Sequence, residues 1–313
     1  MPKTTTGHAL HRWRAWAIQL AESHNIDPYE VDWFLQGLTP LTSTTLKLES
    51  YLSQSAIPLK ASLNELTAKW NQRISDRTPV QYLVGETPWR NLTVTVTPDV
   101  LIPRPETELI IDIVKALVEE SPIKERLQQG HWADLGTGSG AIALGLAQTF
   151  PNATIHATDI SEPALTIAKH NAKQNNLSDR ITFHQGSWLT PFSVPIPYSP
   201  QFPHAPTPPR LSGIITNPPY IPSQTVPTLQ PEVTNHEPYL ALDGGSDGLI
   251  CIKNLITNSH NYLTPGGLWL TELMEGQAQS IADLLTQQNT YAHITIHPDL
   301  AGIARFVSAH KTL

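Results

Sequence analysis

From residue 131 onward, short apolar strand-like runs alternate with longer helical ones, and no other feature of the chain constrains its fold as tightly. Strand candidates are 131–135, 154–159, 181–185, 211–216, 267–272, 292–297 and 303–309; helix candidates are 140–149, 162–175, 249–263 and 275–288. Strands separated by helices line up in parallel, with the helices covering both faces of one sheet. The last two strands are joined only by the turn-like Pro298-Asp299-Leu300-Ala301-Gly302, which predicts an antiparallel end. The expected class is therefore α/β, with a seven-stranded, doubly wound, Rossmann-like sheet. A chain of 313 residues buries roughly 75% of its unfolded surface. That is enough for this sheet and a second, smaller domain.

The first 80 residues follow a different period. Trp13, Trp16, Ala17 and Leu20 recur at helical spacing and predict one apolar stripe. Asp27-Pro28-Tyr29-Glu30 supplies a cap, a proline for the first helical position and an acid three residues after the cap; Val31, Phe34 and Leu35 give that helix a buried face. Ser62 with Glu65 repeats the capping logic ahead of Leu63, Leu66, Trp70 and Ile74. Residues 1–80 are thus expected to be a small all-α domain. It carries 8 Lys+Arg against 7 Asp+Glu, whereas the remainder carries 12 against 20, and this shift in charge supports a boundary. Four of the eight tryptophans lie in this part, either as core or as a docking face for another protein.

Residues 81–103 read as a hairpin and extended linker. Leu92-Thr93-Val94-Thr95-Val96-Thr97 alternates strictly, and in Leu101-Ile102-Pro103-Arg104-Pro105 each proline steers its predecessor away from helix. A helix is expected from Glu106, with Leu109, Ile110, Ile113, Val114 and Leu117 on one side. The main domain then spans 104–313. Residues 191–209 interrupt it with eight prolines, too many for a helix or an inner strand. They are expected to form an extended, mobile surface insertion; a proline-rich ligand for a partner module is the alternative.

Composition removes several classes. No stretch reaches the ~18 apolar residues of a membrane span, and Met1 to Leu20 lacks an apolar signal core. The single cysteine, Cys251, excludes an internal disulfide and a cysteine-built metal site, and fits a reducing, cytoplasmic setting. A net charge of −7 argues against an electrostatic grip on nucleic acid. The histidines are scattered; His293 and His297, in one apparent strand, read as surface side chains and not as metal ligands.

Asp134-Leu135-Gly136-Thr137-Gly138-Ser139-Gly140 follows a strand and opens a helix. Glycines there allow backbone to approach a ligand closely, and the helix N-terminus offers free N–H groups. Gly136, Gly138 and Ala141 also satisfy the dinucleotide pattern. Asp134 counts against it, because a carboxylate directly before the glycines disfavours a pyrophosphate. S-adenosylmethionine brings an ammonium and a sulfonium instead. Asp159, ending the second strand, can accept hydrogen bonds from ribose hydroxyls of either cofactor.

Asn217-Pro218-Pro219-Tyr220 follows the fourth strand of the expected sheet, so it opens beside the glycine loop at the topological switch point. Prolines lack N–H groups, and this turn therefore presents acceptors. The Asn217 side-chain oxygen and the Pro218 carbonyl can each receive one hydrogen of a planar –NH2 group, while Tyr220 offers a flat face to the conjugated system behind it. Such a corner suits methylation of a carboxamide or an adenine, whose nitrogen lone pair is delocalised.

With these residues the chain resembles the HemK-type protein-(glutamine N5) methyltransferases, which modify peptide chain release factors. The resemblance runs through nearly the whole chain. It includes Pro79-Val80-Gln81-Tyr82-Leu83-Val84-Gly85, Leu101-Ile102-Pro103-Arg104-Pro105-Glu106-Thr107-Glu108, the glycine loop, the tetrad, and Ala241-Leu242-Asp243-Gly244-Gly245-Ser246-Asp247-Gly248-Leu249. The segment around Arg104 and Glu106 is the specific one; the loop and the tetrad are shared more widely. The resemblance implies a class I S-adenosylmethionine-dependent methyltransferase fold and transfer to the glutamine amide of a Gly-Gly-Gln motif. It also implies that residues 1–80 dock the release factor. Implied cofactor contacts are Gly136, Thr137, Gly138, Ser139, Gly140, Asp159, Trp188 and Asn217. Implied catalytic and substrate contacts are Asn217, Pro218, Pro219 and Tyr220, with Arg104 and Glu106 shaping the substrate entrance or, for Glu106, capping a helix. Trp188 is alternatively a core tryptophan, and Glu237-Pro238 is a candidate contact to the substrate backbone. The chain is expected to be a monomer. Competing expectations are an adenine N6-methyltransferase on DNA or RNA, a nicotinamide-dependent oxidoreductase, and a non-catalytic translation factor.

Overall fold

The computed structural model describes residues 3–193 and 210–313. The chain divides into two compact units. One holds Met1–Thr87, Val96–Pro98 and Gln230–Glu237; the other holds Pro88–Thr95, Asp99–Leu229 and Pro238–Leu313.

In the first unit the helices Gly7–Ser23, Tyr29–Leu38 and Leu63–Ser75 bury Leu10, Trp13, Phe34, Leu35, Leu66 and Trp70. Only the third starts at the cap read from sequence; the first is capped by Thr6, and the second starts one residue later than expected, with Pro28 at the cap position and no side-chain capping bond. Asp27 Oδ1 accepts from the Tyr29 amide at 2.9 Å, and Ser62 and Glu65 exchange reciprocal bonds. The first stripe is rotated from the expected one: Leu10, Trp13, Ala17 and Ala21 are buried, while Trp16 is 37% exposed. Trp13 stacks on Phe34 with centroids 5.9 Å apart, and Phe34 meets Trp70, so these two tryptophans are core. The unit is not wholly helical, because Lys3–Thr5 pairs antiparallel with Ile57–Leu59. The returning segment is fixed by charge. Buried Arg73 donates to Glu30 at 2.6 and 2.8 Å and to Glu232 at 2.9 Å. Residues 81–103, read as a hairpin and extended linker, hold two paired strands, Glu86–Trp89 and Leu92–Thr95, and also the end of a short helix, Val80–Val84, that was not expected.

The second unit is built on seven strands: β1 (His131–Leu135), β2 (Thr154–Asp159), β3 (Ile181–Gln185), β4 (Leu211–Thr216), β5 (Leu263–Glu272), β6 (Tyr291–Pro298) and β7 (Ala304–Lys311). Their order is β3-β2-β1-β4-β5-β7-β6. All neighbours are parallel except β7, which runs antiparallel to both β5 and β6. This is the doubly wound sheet with an antiparallel end expected from the alternation. Trp132, Ala133 and Leu135 on β1 and Leu211, Ile214 and Ile215 on β4 are buried, as inner strands covered on both faces must be. Helices Ala141–Thr149, Glu162–Gln174, Ile250–Ser259 and Ala278–Gln287 make up the covering layers.

Three local expectations need correction. Strand β5 starts at Leu263, not 267. Its pairing with β4 jumps register between Leu211 and Gly213, so Pro265-Gly266-Gly267 is absorbed into an irregular strand and the preceding helix stops at Ser259. The helix near Glu106 begins as a 3-10 turn, Glu106–Glu108, and its α-helical part, Leu109–Glu120, buries Ile110, Ile111, Val114 and Val118, a face that keeps Ile110 and Val114 of the expected stripe and replaces Leu109, Ile113 and Leu117. At the start of the proline-rich segment, Thr190–Phe192 closes a 3-10 turn and buries Phe192 instead of leading outward. The rest of that insertion, 194–209, lies outside the described residues. Among the described residues no helix is long and apolar enough to cross a membrane.

Packing between β1 and β4 is tight. Trp132 stacks on Phe150 with centroids 5.1 Å apart and donates to the Leu127 carbonyl at 2.8 Å. A Cβ at its strand partner Gly213 would lie 2.1 Å from the indole. Gly213→Ala is therefore expected to destabilise the fold by about 1–3 kcal/mol in chemical denaturation. Adding Trp132→Leu should recover part of that loss; equal stability of wild type and Gly213→Ala would contradict this packing.

Candidate active site

The glycine loop is pinned to the neighbouring strand, since the amides of Gly136 and Thr137 both donate to the Thr158 carbonyl at 2.9 Å. Gly138 sits at φ +52°, and a Cβ built there meets nothing within 4 Å, so this backbone faces open space. Its amide donates to Asp159 Oδ2 at 2.9 Å, while the Ser161 amide holds Oδ1 at 2.9 Å. The carboxylate is fixed in direction at the end of β2 and keeps lone pairs for other donors. Ser139 is buried, and its carbonyl accepts from Asn171 Nδ2 at 2.8 Å. Gly140 caps the following helix at φ +86°.

Asp134 is fully buried. Its Oδ2 accepts from Thr137 Oγ1 at 2.5 Å and from the Ala143 amide at 3.0 Å, while Oδ1 has no partner. Burial, with the nearby charge of Asp159, pushes its carboxyl up to about 7. An unpartnered buried carboxylate oxygen, an open backbone turn and a second oriented carboxylate fit a ligand that carries positive charge and hydroxyl donors. S-adenosylmethionine has both.

Trp188 adopts φ +51°, a left-handed conformation costly for a tryptophan, and strain of this kind collects at ligand sites. A Cβ built on Gly136 would lie 3.2 Å from its six-membered ring. The same side chain packs partly against the core that contains Leu189 and Phe192. It is thus both a wall beside the loop and a core neighbour.

The tetrad emerges next to the loop. Thr216 pairs with Leu135 across β4 and β1 and donates to its carbonyl at 2.7 Å, so Asn217 and Gly136 leave adjacent strands at the same edge. Asn217 Nδ2 donates to Thr107 Oγ1 at 3.3 Å, which leaves Oδ1 as an acceptor for another donor. Thr107 in turn donates to Glu272 Oε2 at 2.7 Å, and the Tyr220 hydroxyl donates to Glu272 Oε1 at 3.2 Å. Glu272 ends β5, only 1% exposed, and burial pushes its carboxyl up to about 7 despite the opposing charge of Arg305. Burial, then the Glu272 charge, drives the Tyr220 phenol upward, away from ionisation.

Beneath the tetrad, Gln277 Nε2 donates to the Tyr220 carbonyl at 2.9 Å and its Oε1 accepts from the Met274 amide. Gly248, at φ +73°, comes so close that a Cβ would lie 2.3 Å from the Tyr220 carbonyl oxygen. Ile221 bridges to Asp243. The Asp243–Gly248 part of the long glycine-containing motif is therefore the support of the tetrad, a role the sequence alone did not reveal.

Arg104 is half-buried and its charge acts on Tyr220; Glu106 is exposed and its charge acts on Glu272. No side-chain capping bond starts the turn at Glu106. Glu237, considered as a substrate contact, is buried and belongs to the first unit. Sequence reasoning missed Thr107, Glu272 and Gln277. Glu272 had a signal: an acid closing an otherwise apolar strand at the ligand-binding edge of an α/β sheet.

A family model described as "Methyltransferase domain" matches residues 129–194. A release factor glutamine methyltransferase of Synechocystis sp. is 49% identical over 304 residues, 97% of each chain. One from Thermosynechococcus vestitus is 43% identical, covering 97% of this chain and 99% of its own. The chain belongs to the release factor glutamine methyltransferase family. Among solved structures, the hMettl16 catalytic domain in complex with a MAT2A 3'UTR hairpin matches with a TM-score of 0.52 at 16% identity, covering 79% of this chain and 80% of that one. At that identity the likeness concerns the fold, the class I S-adenosylmethionine-dependent methyltransferase fold.

The buried Asp134 gives a signed pH prediction. Its folded-state pKa, about 7, lies above its ordinary 3.8, so between these values the unfolded chain is ionised while the folded one keeps its proton. Stability from this group is fully present below pH ~3.8 and declines as pH rises towards ~7. Asp134→Asn should flatten that decline in denaturation curves taken from pH 4 to 8. A slope unchanged from wild type would refute the assignment.

Proposed function

We propose that this chain transfers the methyl group of S-adenosylmethionine to the side-chain amide nitrogen of the glutamine in the Gly-Gly-Gln motif of peptide chain release factors. The observation that carries the reading is the pairing of Thr216 with Leu135, which opens Asn217 and the glycine loop side by side. When bound, S-adenosylmethionine supplies an electrophilic methyl on a sulfonium. Backbone of Gly136, Thr137, Gly138, Ser139 and Gly140 would hold the cofactor, with Asp159 as acceptor for its ribose hydroxyls and Trp188 as the aromatic contact for its adenine. Asp134 contributes negative charge behind the loop once its carboxyl, raised to about 7, has ionised.

On the substrate side, Asn217 Oδ1 and the Pro218 carbonyl each accept one hydrogen of the glutamine –NH2. Pro219 holds the turn rigid, and Tyr220 faces the amide plane. Two accepted hydrogen bonds push density back onto nitrogen and aim its lone pair out of the plane. No strong base is required, because the methylated nitrogen becomes acidic. Each hydrogen bond contributes a net ~1 kcal/mol, whereas fixing the geometry of attack can contribute about 7–11 kcal/mol. Orientation is the larger effect. Arg104 and Glu106 flank the substrate entrance, the helical first unit docks the release factor, and a substrate of the translation machinery places the enzyme in the cytoplasm, acting as a monomer.

Asn217→Ala tests this. Methylation of a Gly-Gly-Gln release factor, followed by mass spectrometry, should fall at least about tenfold, with binding of the release factor retained. Methyl incorporation into nucleic acid but not into the release factor by the wild-type protein would overturn the reading.

A further inference from the structure

The Asn217 carboxamide has a weakness as an acceptor. Its oxygen and –NH2 ends have nearly the same shape, and a half-turn about its last bond would present hydrogens to the substrate amide in place of lone pairs. Something must fix its polarity. The nearest partner, Thr107 Oγ1, is a hydroxyl, which can donate or accept and cannot choose by itself. The choice is made one residue further back. With Glu272 ionised, Thr107 gives its only proton to Oε2 at 2.7 Å, so towards Asn217 it has only lone pairs left. Asn217 must then offer Nδ2, at 3.3 Å, and Oδ1 is left as an acceptor for another donor.

We propose that Thr107 and Glu272 are positioning residues that lock the flip state of Asn217, so that an oxygen and not an amino group meets the substrate amide. The inference rests on the methyl-transfer reading above and deepens it. The lock is well isolated. Thr107 is 4% exposed and Glu272 1%, so water does not compete for either group. The second Glu272 oxygen is occupied by the Tyr220 hydroxyl at 3.2 Å. One carboxylate thus orders both ends of the tetrad, Asn217 through Thr107 and Tyr220 directly. The charged groups facing this pair are Arg305, itself tied to Asp299 at 2.8 Å, and Glu106 towards Glu272, with Arg104 towards Tyr220.

Thr107→Val keeps the side-chain shape and removes the hydroxyl; Thr107→Ser keeps the hydroxyl. With a release factor as substrate, Thr107→Val should lower kcat at least about tenfold while cofactor Kd and substrate KM stay within about twofold. Thr107→Ser should restore most of the rate. Glu272→Met should lose at least as much as Thr107→Val, because it also releases the Tyr220 hydroxyl, and the double variant should be no more than about twofold below Glu272→Met, because both residues act on Asn217 as one unit. A readout free of the substrate question is the Asn217 side-chain 15N–1H pair, identified by its loss in Asn217→Asp. It should shift in Thr107→Val and stay in place in Thr107→Ser. Unchanged kcat and an unmoved resonance in Thr107→Val, or equal loss in Thr107→Ser, would overturn the lock. If wild type fails to methylate release factors, the functional reading falls, and the resonance alone still decides the lock.

Discussion

The parallel pairing of β1 with β4 is the constraint on which the site depends. Leu135 and Thr216 are Cα partners, and the bond from Thr216 Oγ1 to the Leu135 carbonyl at 2.7 Å reinforces the backbone ladder at its last rung. The residues that follow have no freedom to diverge far: one chain turns into the glycine loop, the other into the proline corner. A methyl donor and a methyl acceptor brought to this edge share one small space. The pairing itself is secured by apolar burial, with Trp132 filling the room that Gly213 leaves.

Three carboxyl groups are gathered at this edge, Asp134, Asp159 and Glu272, and burial raises each of them. Desolvating a carboxylate is costly unless it is paired or hydrogen-bonded. The structure offsets that cost unevenly. Asp159 receives two backbone amides and Glu272 two hydroxyls, while Asp134 keeps one oxygen without any donor. An edge of this kind is poorly matched to a pyrophosphate and well matched to a sulfonium and an ammonium. The same logic that set aside a dinucleotide from the sequence thus reappears in the folded site.

Much of this was legible in the sequence because local signals and tertiary roles coincide. The strand–helix alternation, the cap at Ser62, and the two turns that hold the site are each encoded within a few residues. The failures share a cause. Trp16, Leu109 and Ile113 fit a helical period as well as their buried neighbours do, and only packing decides which stripe faces inward. Arg73 with Glu232, and Thr107 with Glu272, are separated by more than a hundred residues. No period or spacing links such partners. The register jump in β5 was hidden because Pro265-Gly266-Gly267 reads locally as a loop, although its neighbours carry strand pairing through it.

That division also explains why the tetrad alone is an incomplete description of the chemistry. Asn217 and Pro218 supply two acceptors, but an acceptor on a rotatable carboxamide is worth little until its direction is fixed. A corner that spent half its time presenting –NH2 would lose only about a factor of two, whereas one that preferred –NH2 by about ten to one would lose about tenfold. The direction comes from a carboxylate at the end of another strand, through a hydroxyl in the segment before the sheet. Gln277 and Gly248 fix the remaining side by gripping the Tyr220 carbonyl. The corner is therefore held where three distant segments converge on it, and the selectivity for a planar amide that we propose for it would rest on that convergence.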